Sequence, residues 1–467
     1  MNDQWGIDMN QPTNQPTNQP SRPFTTGRLL RLSSFHIGSA MGDILMTSIW
    51  NRVMITNFGI PATPVGLLIA LRYLLSPLSL LAGHLSDTHP LLGYRRSVYI
   101  WFGRAMMVIS LPLLGLSLVR FGAATTDVWG WLLALTSSLM YGVGTLISGS
   151  PFLALVRDSA PPEKQGLAIS MVETILIVFF AIAGIGFSLW MKVYSEAIFW
   201  EMIFVTMLVG GFFWFFAIWG AEKRLGLGET AVPSSPLPPR FAHVLGKIWQ
   251  DQRTRRFFFF LALATLSAWA QDAILEPFGA EVFDLPLSRT TRFNSYWQTA
   301  TVITLLGGTY LWRKRSPERQ SSIARWGLGV MSGGLLVLGL ASFSHQVRLV
   351  ELALVIFGAG FGVYTFGGLS LMAVMASDKE AGAYLGLWSI AILLSKGLGT
   401  FLGGLTRDIL LLGLNLPVGL SYGLIFALEA FGLLGAILIL SRIDVVGFAR
   451  DVGRVISRVE AQIAMAD

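Results

Sequence analysis

The 467-residue chain is 53% hydrophobic and 13% charged, contains no cysteine and carries a formal net charge of +7. Its charged fraction is about half that of a soluble domain, and apolar runs of about twenty residues, enough to cross ~30 Å of hydrocarbon, recur along its length. The composition reads as a polytopic membrane protein. It excludes disulfides, thiolate metal sites and cysteine nucleophiles, and it makes the basic excess a topological signal rather than a nucleic-acid footprint.

Residues 1–27 are polar and contain the near-repeats Asn10-Gln11-Pro12-Thr13, Asn14-Gln15-Pro16-Thr17 and Asn18-Gln19-Pro20-Ser21. Such a segment buries no core and is expected to be a disordered cytoplasmic tail. It lacks the basic-then-apolar pattern of a cleavable signal, so the first span is expected to serve as an uncleaved one. Twelve apolar spans follow, near 30–54, 63–86, 97–119, 128–156, 166–190, 198–220, 257–280, 293–313, 323–343, 349–376, 382–405 and 419–441. The longest polar stretch, 221–256, holds Pro233, Pro236, Pro238 and Pro239 and reads as a cytoplasmic linker between two six-helix halves, 28–220 and 257–441. Residues 442–467 form a cytoplasmic C-terminal tail. Most of the 34 Lys and Arg fall on the inner side of this map, leaving Arg120, Lys192, Arg289, Arg292, Arg348 and Arg407 outside, so both termini are expected in the cytoplasm. The halves echo each other. Gly42-Asp43-Ile44-Leu45 in the first span matches Gln271-Asp272-Ala273-Ile274-Leu275 in the seventh. The predicted fold is therefore all-α with two pseudo-symmetric halves, and substrate sites of such folds lie near the midplane between halves.

Ionisable residues within spans are functional candidates. Asp43 and Arg72 fall mid-span in adjacent helices and form a plausible buried pair, with Arg104 a second candidate partner. Both a structural role and substrate or proton handling remain open for them. His36 lies two helical turns before Asp43 on the same face. A neutral imidazole facing a cavity there would suit the magnesium of a chlorophyll-type pigment, and plain hydrogen bonding is the alternative. Glu173 lies on the apolar fifth span, and Lys396 sits mid-span where symmetry would let it neutralise Asp272. In the stretch Gln271 to Phe283, Asp272 and Glu276 share a helical face. Counting 1.5 Å per residue from Phe257 places Glu276 near the outer boundary and Glu281 at the interface. The loop after the second span, Gly83 through Asp87 and Gly93 to Arg95 and Arg96, resembles the loop motif of the major facilitators. Three extra residues separate Asp87 from Gly93. In that superfamily the loop latches the cytoplasmic side. No nucleotide or protein-metal motif is present, and Gly358 and Gly362 lie in a span where they favour close helix packing over dinucleotide binding.

From Arg28 to about Asp451 the chain resembles the PucC/LhaA family, the bacteriochlorophyll-delivery branch of the major facilitator superfamily. The resemblance is carried by Asn51-Arg52-Val53-Met54-Ile55 with Gly59-Ile60-Pro61, by Asp87-Thr88-His89 with Leu92-Gly93-Tyr94-Arg95-Arg96, by Tyr99-Ile100-Trp101-Phe102-Gly103, and by Gln271-Asp272-Ala273-Ile274-Leu275-Glu276-Pro277-Phe278-Gly279. It implies a non-enzymatic assembly factor of a photosynthetic membrane, thylakoid or intracytoplasmic. Such a protein handles chlorophyll or bacteriochlorophyll as cargo for light-harvesting or photosystem subunits. The alternative reading is a proton-coupled secondary transporter of an apolar or amphipathic small molecule, with Asp43, Glu173 and Asp272 as coupling groups. The expected partners are membrane lipids, the pigment and its client subunits. The oligomeric state is not legible.

Overall fold

The protein is seen in a computed structural model that describes residues 25–161, 164–224, 246, 248–312, 317–376 and 381–451. Most of the predicted N-terminal tail, linker and C-terminal tail lies outside these residues. With no water in a bilayer core, each backbone amide must find its partner within its own segment, and helices satisfy that demand. The described elements are helical, with one isolated bridge between Leu91 and Tyr94 in a loop.

The first half comprises α1 (26–57, in several segments), α2 (Ala62–Thr88), α3 (Ser97–Ala123), α4 (Val128–Asp158), α5 (Gln165–Trp190) and α6 (Glu196–Ile218). The second comprises α7 (Gln252–Ala273 continuing as Leu275–Phe283), α8 (Leu287–Trp312), α9 (Pro317–Ser344), α10 (Val347–Val374), α11 (Ala381–Asp408) and α12 (Val418–Ser441), with a short α13 (Val445–Asp451) behind it. Among the described residues nine helices are long and apolar enough to span a membrane, and the bent α7 makes ten. The other two predicted spans depart for physical reasons. α1 is interrupted by π-helical turns at Ile44–Trp50 and Val53–Asn57, and α8 carries Arg289, Arg292, Asn294 and Gln298 among its apolar residues. Both helices line the seam between the halves, where Asp43 and Thr47 of α1 and Asn294 and Gln298 of α8 face a shared cavity.

Each half is built around its own apolar core. One gathers residues from Leu29 to Ala221 and takes in Leu287 from the other half; the second runs from Ile248 to Phe448. This is the two-half arrangement expected of a major-facilitator fold. The loops at 89–96 and the start of α1 mark one end of the bundle, called the near side below; the end of α1 and the start of α2 mark the far side.

Glycine sets the closest helix approach. A Cβ built on Gly358 of α10 would stand 2.0 Å from the Trp297 carbonyl oxygen of α8, and one on Gly362 would meet Thr304 Oγ1 at 2.1 Å. Thr301 Oγ1 donates to the Gly358 carbonyl at 2.9 Å across the same contact. The packing role read from the glycine spacing is therefore correct. Overpacking of this kind costs about 1–3 kcal/mol. Gly358→Ala is expected to lose that much in detergent unfolding, whereas Gly186→Ala, with open space around it, is expected to stay within about 0.5 kcal/mol of the parent.

Candidate functional site

A cavity of about 380 Å³ lies between the halves at mid-depth. Asp43, Thr47, Arg72 and Tyr73 line it from the first half, and Trp269, Asp272, Asn294, Trp297, Gln298 and Lys396 from the second. The local folding of α1 and α7 explains why two aspartates reach it. Immediately after Asp43 the α-helix of α1 gives way to a π-helical turn. Asp272 occupies a 3₁₀ turn, Ala270–Ala273, after which α7 bends by 47°. Equivalent positions of the two halves are thus distorted at their acidic residue, the kind of helix irregularity that collects at functional sites.

Asp43 pairs with Arg72 at 2.6 Å, and Tyr141 donates to the same oxygen at 2.7 Å. Gly42 makes this possible, because a Cβ there would lie 2.6 Å from the Tyr141 hydroxyl. The second terminal nitrogen of Arg72 donates to the Tyr73 hydroxyl. The predicted Asp43–Arg72 pair therefore exists. Arg104 is not its third member: it bonds Ser39 Oγ at 3.1 Å and lies 4.1 Å over the Phe35 ring.

The second half solves the same problem differently. Asp272 accepts a long 3.5 Å bond from Thr400 Oγ1. The Lys396 ammonium sits 3.3 Å from the centroid of Trp269 and 4.5 Å from that of Tyr73. The lysine is held by aromatic faces, an interaction worth ~2 kcal/mol when desolvated, and not by a direct ion pair with Asp272. Lys396 over Tyr73 also bridges the two halves in mid-cavity.

Other predicted residues fall elsewhere. Glu276, expected near the outer boundary, is enclosed by protein: it is 1% exposed and accepts from Asn294 Nδ2 at 2.5 Å. The bend after Ala273 comes just before it, and the short helix Leu275–Phe283 packs against α8, which encloses the carboxylate. Gln271 lies beside it, 4% exposed, with its Oε1 unpartnered. His36 packs edge-on against Phe35 and Phe152, and neither ring nitrogen has a hydrogen-bond partner. It is 6% exposed and is not among the residues that line the central cavity. Glu173 is half-buried on α5, one turn nearer the near side than the cavity-lining Leu176 and Ile177. No cluster of acidic, histidine or cysteine side chains suited to a metal ion occurs among the described residues.

The loop motif works as a knot within the first half. Arg96, 2% exposed, contacts Asp87 at 3.0 Å and Asp158 at 2.9 Å, while Arg95 approaches Asp87 at 3.7 Å. Glu222, just past α6, accepts from the backbone of Arg95 and Ser97 at 2.8 Å and from the Ser97 hydroxyl at 2.7 Å. Gly93 turns the chain with φ +81°, and Gly83 lets α2 approach Ser150 on α4.

Sequence reasoning missed a far-side network. Glu281, read as interfacial, pairs with Arg407 at 2.5 Å and accepts from Tyr422 at 2.9 Å. Arg407 also holds Asp408 at 2.8 Å. Asp408 then caps α2 across the interface between halves, accepting from Ala62 N at 3.0 Å, Thr63 N at 2.7 Å and Thr63 Oγ1 at 2.6 Å. Asn51 Nδ2 to the Ala273 carbonyl and Arg52 to the Leu285 carbonyl add to the tie. Glu429, a buried carboxylate of α12 with neither oxygen bonded, was also missed, although an acid within a span is itself a signal.

Removing one partner of a buried pair strands the other charge, at about 3–5 kcal/mol. Asp43→Asn is expected to show that loss in thermal unfolding of the purified protein. Asp43→Asn combined with Arg72→Met is expected to recover most of it, and additive losses would mean the two do not act as a pair.

Comparison with known proteins gives consistent matches. The sequence profile of a family described as PUCC protein matches residues 49–448. "Protein PucC" of Rhodovulum sulfidophilum is 31% identical over 404 residues, covering 83% of this chain and 86% of that protein. The "Bacteriochlorophyll synthase 44.5 kDa chain" of Rhodobacter capsulatus is 28% identical over 402 residues, covering 83% and 88%. Among solved structures, a POT family transporter in complex with 5-aminolevulinic acid aligns with a TM-score of 0.68 at 14% identity, covering 94% of this chain and 99% of that one. A bacterial homologue of the lysosomal transporter Spinster, inward-facing, aligns with a TM-score of 0.60 at 16% identity, covering 93% and 98%.

Proposed function

The chain belongs to the PUCC family, and from that membership we propose that it is a non-enzymatic assembly factor of a photosynthetic membrane. In this reading it handles chlorophyll or bacteriochlorophyll for light-harvesting or photosystem subunits, with both termini in the cytoplasm. The observation that carries the reading is the make-up of the central cavity. Its walls combine broad apolar surfaces (Phe180, Trp269, Trp297 and Phe361) with a few fixed polar groups (Asp43, Arg72, Asp272 and Lys396). A flat, largely apolar macrocycle with polar substituents at its edge matches that pattern. About 380 Å³ lies in the range of small-molecule sites and accommodates part of such a ring. A relative's name that refers to bacteriochlorophyll synthesis supports the same cargo class.

In this account the charges are positioning groups. Asp43 and Arg72 cancel each other and present their polar edge to the cavity. Lys396 and Asp272 are not paired directly, so each retains capacity to meet a ligand's carbonyl or ester oxygens. The far-side tie through Asp408 keeps that end shut while cargo is held from the near side or from the bilayer.

A second reading, a proton-coupled transporter of an amphipathic small molecule, draws on the same half-buried carboxylates, Asp43 and Asp272, facing the cavity. The protein purified from its native membranes discriminates the two. Pigment absorbance is expected to co-elute with the wild type. Asp272→Asn is expected to lower the pigment-to-protein ratio about tenfold, as for a lost polar contact of ~1.4 kcal/mol, with the amount of inserted protein unchanged. Uptake into pigment-free liposomes that follows an imposed pH gradient, with no pigment bound to the native protein, would instead establish the transporter.

A further inference from the structure

The helix that walls the central cavity has a second working face. α8 turns Asn294, Gln298 and Thr301 toward the cavity, and it turns Ser295, Thr299, Ala300 and Ile303 toward a separate groove on the bilayer side of its seam with α5. This groove measures about 570 Å³, and Ile185, Leu189 and Val355 complete its apolar lining. At the far side it runs into a polar pocket of about 120 Å³ that holds Arg289 and Glu351; Arg292 and Tyr296 belong to both.

Three features define what would fill it. The first is length. Arg292 and Ile303 are eleven positions apart on one unbroken helix, ~16 Å at 1.5 Å per residue. That is about half of the ~30 Å hydrocarbon core, the depth of one leaflet. The second is charge at one end only. Arg292 spends its Nε on Ser188 Oγ at 3.1 Å, and its two terminal amino groups have no partner among the described residues. Arg289 is exposed beside it, and Glu351 shares the pocket without forming an ion pair with either arginine among the described residues. The third is an apolar remainder: below Arg292 the lining carries hydroxyls of Ser295, Tyr296 and Thr299 but no further charge.

We propose that this groove is a binding site for one membrane phospholipid with an anionic headgroup, its acyl chain lying along α8 and its phosphate held by Arg289 and Arg292. With two guanidinium groups and one carboxylate the pocket carries a net positive charge, which an anionic headgroup neutralises, whereas a zwitterionic one brings its own ammonium beside it. Guanidinium is the side chain best shaped for a phosphate. The site is independent of the cavity and of whatever cargo the cavity takes, and it places a lipid against the seam where the two halves meet.

Native mass spectrometry of the full chain, released from nanodiscs of equal phosphatidylglycerol and phosphatidylcholine, tests the assignment. The wild type is expected to retain phosphatidylglycerol in clear excess. Each of Arg289→Gln and Arg292→Gln is expected to lower the retained ratio about fivefold, the usual worth of one basic residue at an anionic surface. Ile303→Trp, at a side chain 66% exposed on the bilayer face, fills the groove without touching the core and is expected to reduce retention of both lipids. Wild-type retention in the ratio of the nanodisc, or variants that retain as much phosphatidylglycerol as the parent, would overturn the proposal.

Discussion

An ion pair buried inside the protein at mid-span, Asp43 with Arg72, is the constraint around which the centre of the molecule is arranged. Desolvating two charges costs several kcal/mol each, and mutual attraction offsets this only when geometry and further hydrogen bonds are good. The neighbours of the pair supply those bonds. Tyr141 and Tyr73 take up remaining polar valences. Gly42 makes room for the first of these rings, and Gly142 lets α4 reach the Arg72 backbone. The pair also borders a cavity, so part of its polar surface stays available. A structural requirement of the fold thereby becomes a feature that a ligand can use.

The second half meets the same cost with aromatic faces. Lys396 lies between Trp269 and Tyr73, and Tyr73 belongs to the other half, so the cation links the halves at mid-depth. Toward the far side the link becomes a network of charged and backbone groups, from Glu281 through Arg407 and Asp408 to the first turn of α2. A carboxylate at a helix N-terminus satisfies orphan amides and gains from the helix dipole. Because Asp408 and α2 come from different halves, that gain ties the halves together on the far side. The loop motif at the near side has a different task. Arg96, Asp87, Asp158 and Glu222 knot the ends of α2, α4 and α6 of one half into a rigid unit.

Much of this was legible in the sequence because span length, charge bias and glycine spacing are read one helix at a time. Ten of the twelve predicted spans among the described residues, the acidic residue shared by both halves, the Asp43–Arg72 pair and the packing role of Gly358 all follow from such local patterns. What escaped depends on direction. The enclosure of Glu276 escaped because a 3₁₀ turn redirects α7 just before it and packs Leu275–Phe283 against α8, and no composition signal marks that turn. His36 shares a helical face with Asp43 but faces Phe152 instead of the cavity, since helix rotation is set by neighbours far away in the chain. Tyr73, Tyr141 and Asn294 carry no charge, so nothing distinguished them from other polar residues of the spans. Asp408 and Glu222 lie at helix ends, where an acid usually reads as solvated.

The central claim is that the aromatic-walled, charge-lined cavity is where the pigment sits. The absence of natural cysteine makes the claim directly measurable. Single cysteines introduced at Thr47 and Leu393, on the cavity wall, and at Leu208, 76% exposed on the bilayer face, report access through their rate of labelling by a small maleimide in native membranes. The account predicts that added chlorophyll or bacteriochlorophyll slows labelling at Thr47→Cys and Leu393→Cys and leaves Leu208→Cys unchanged. Equal rates with and without pigment at the two cavity positions would contradict it.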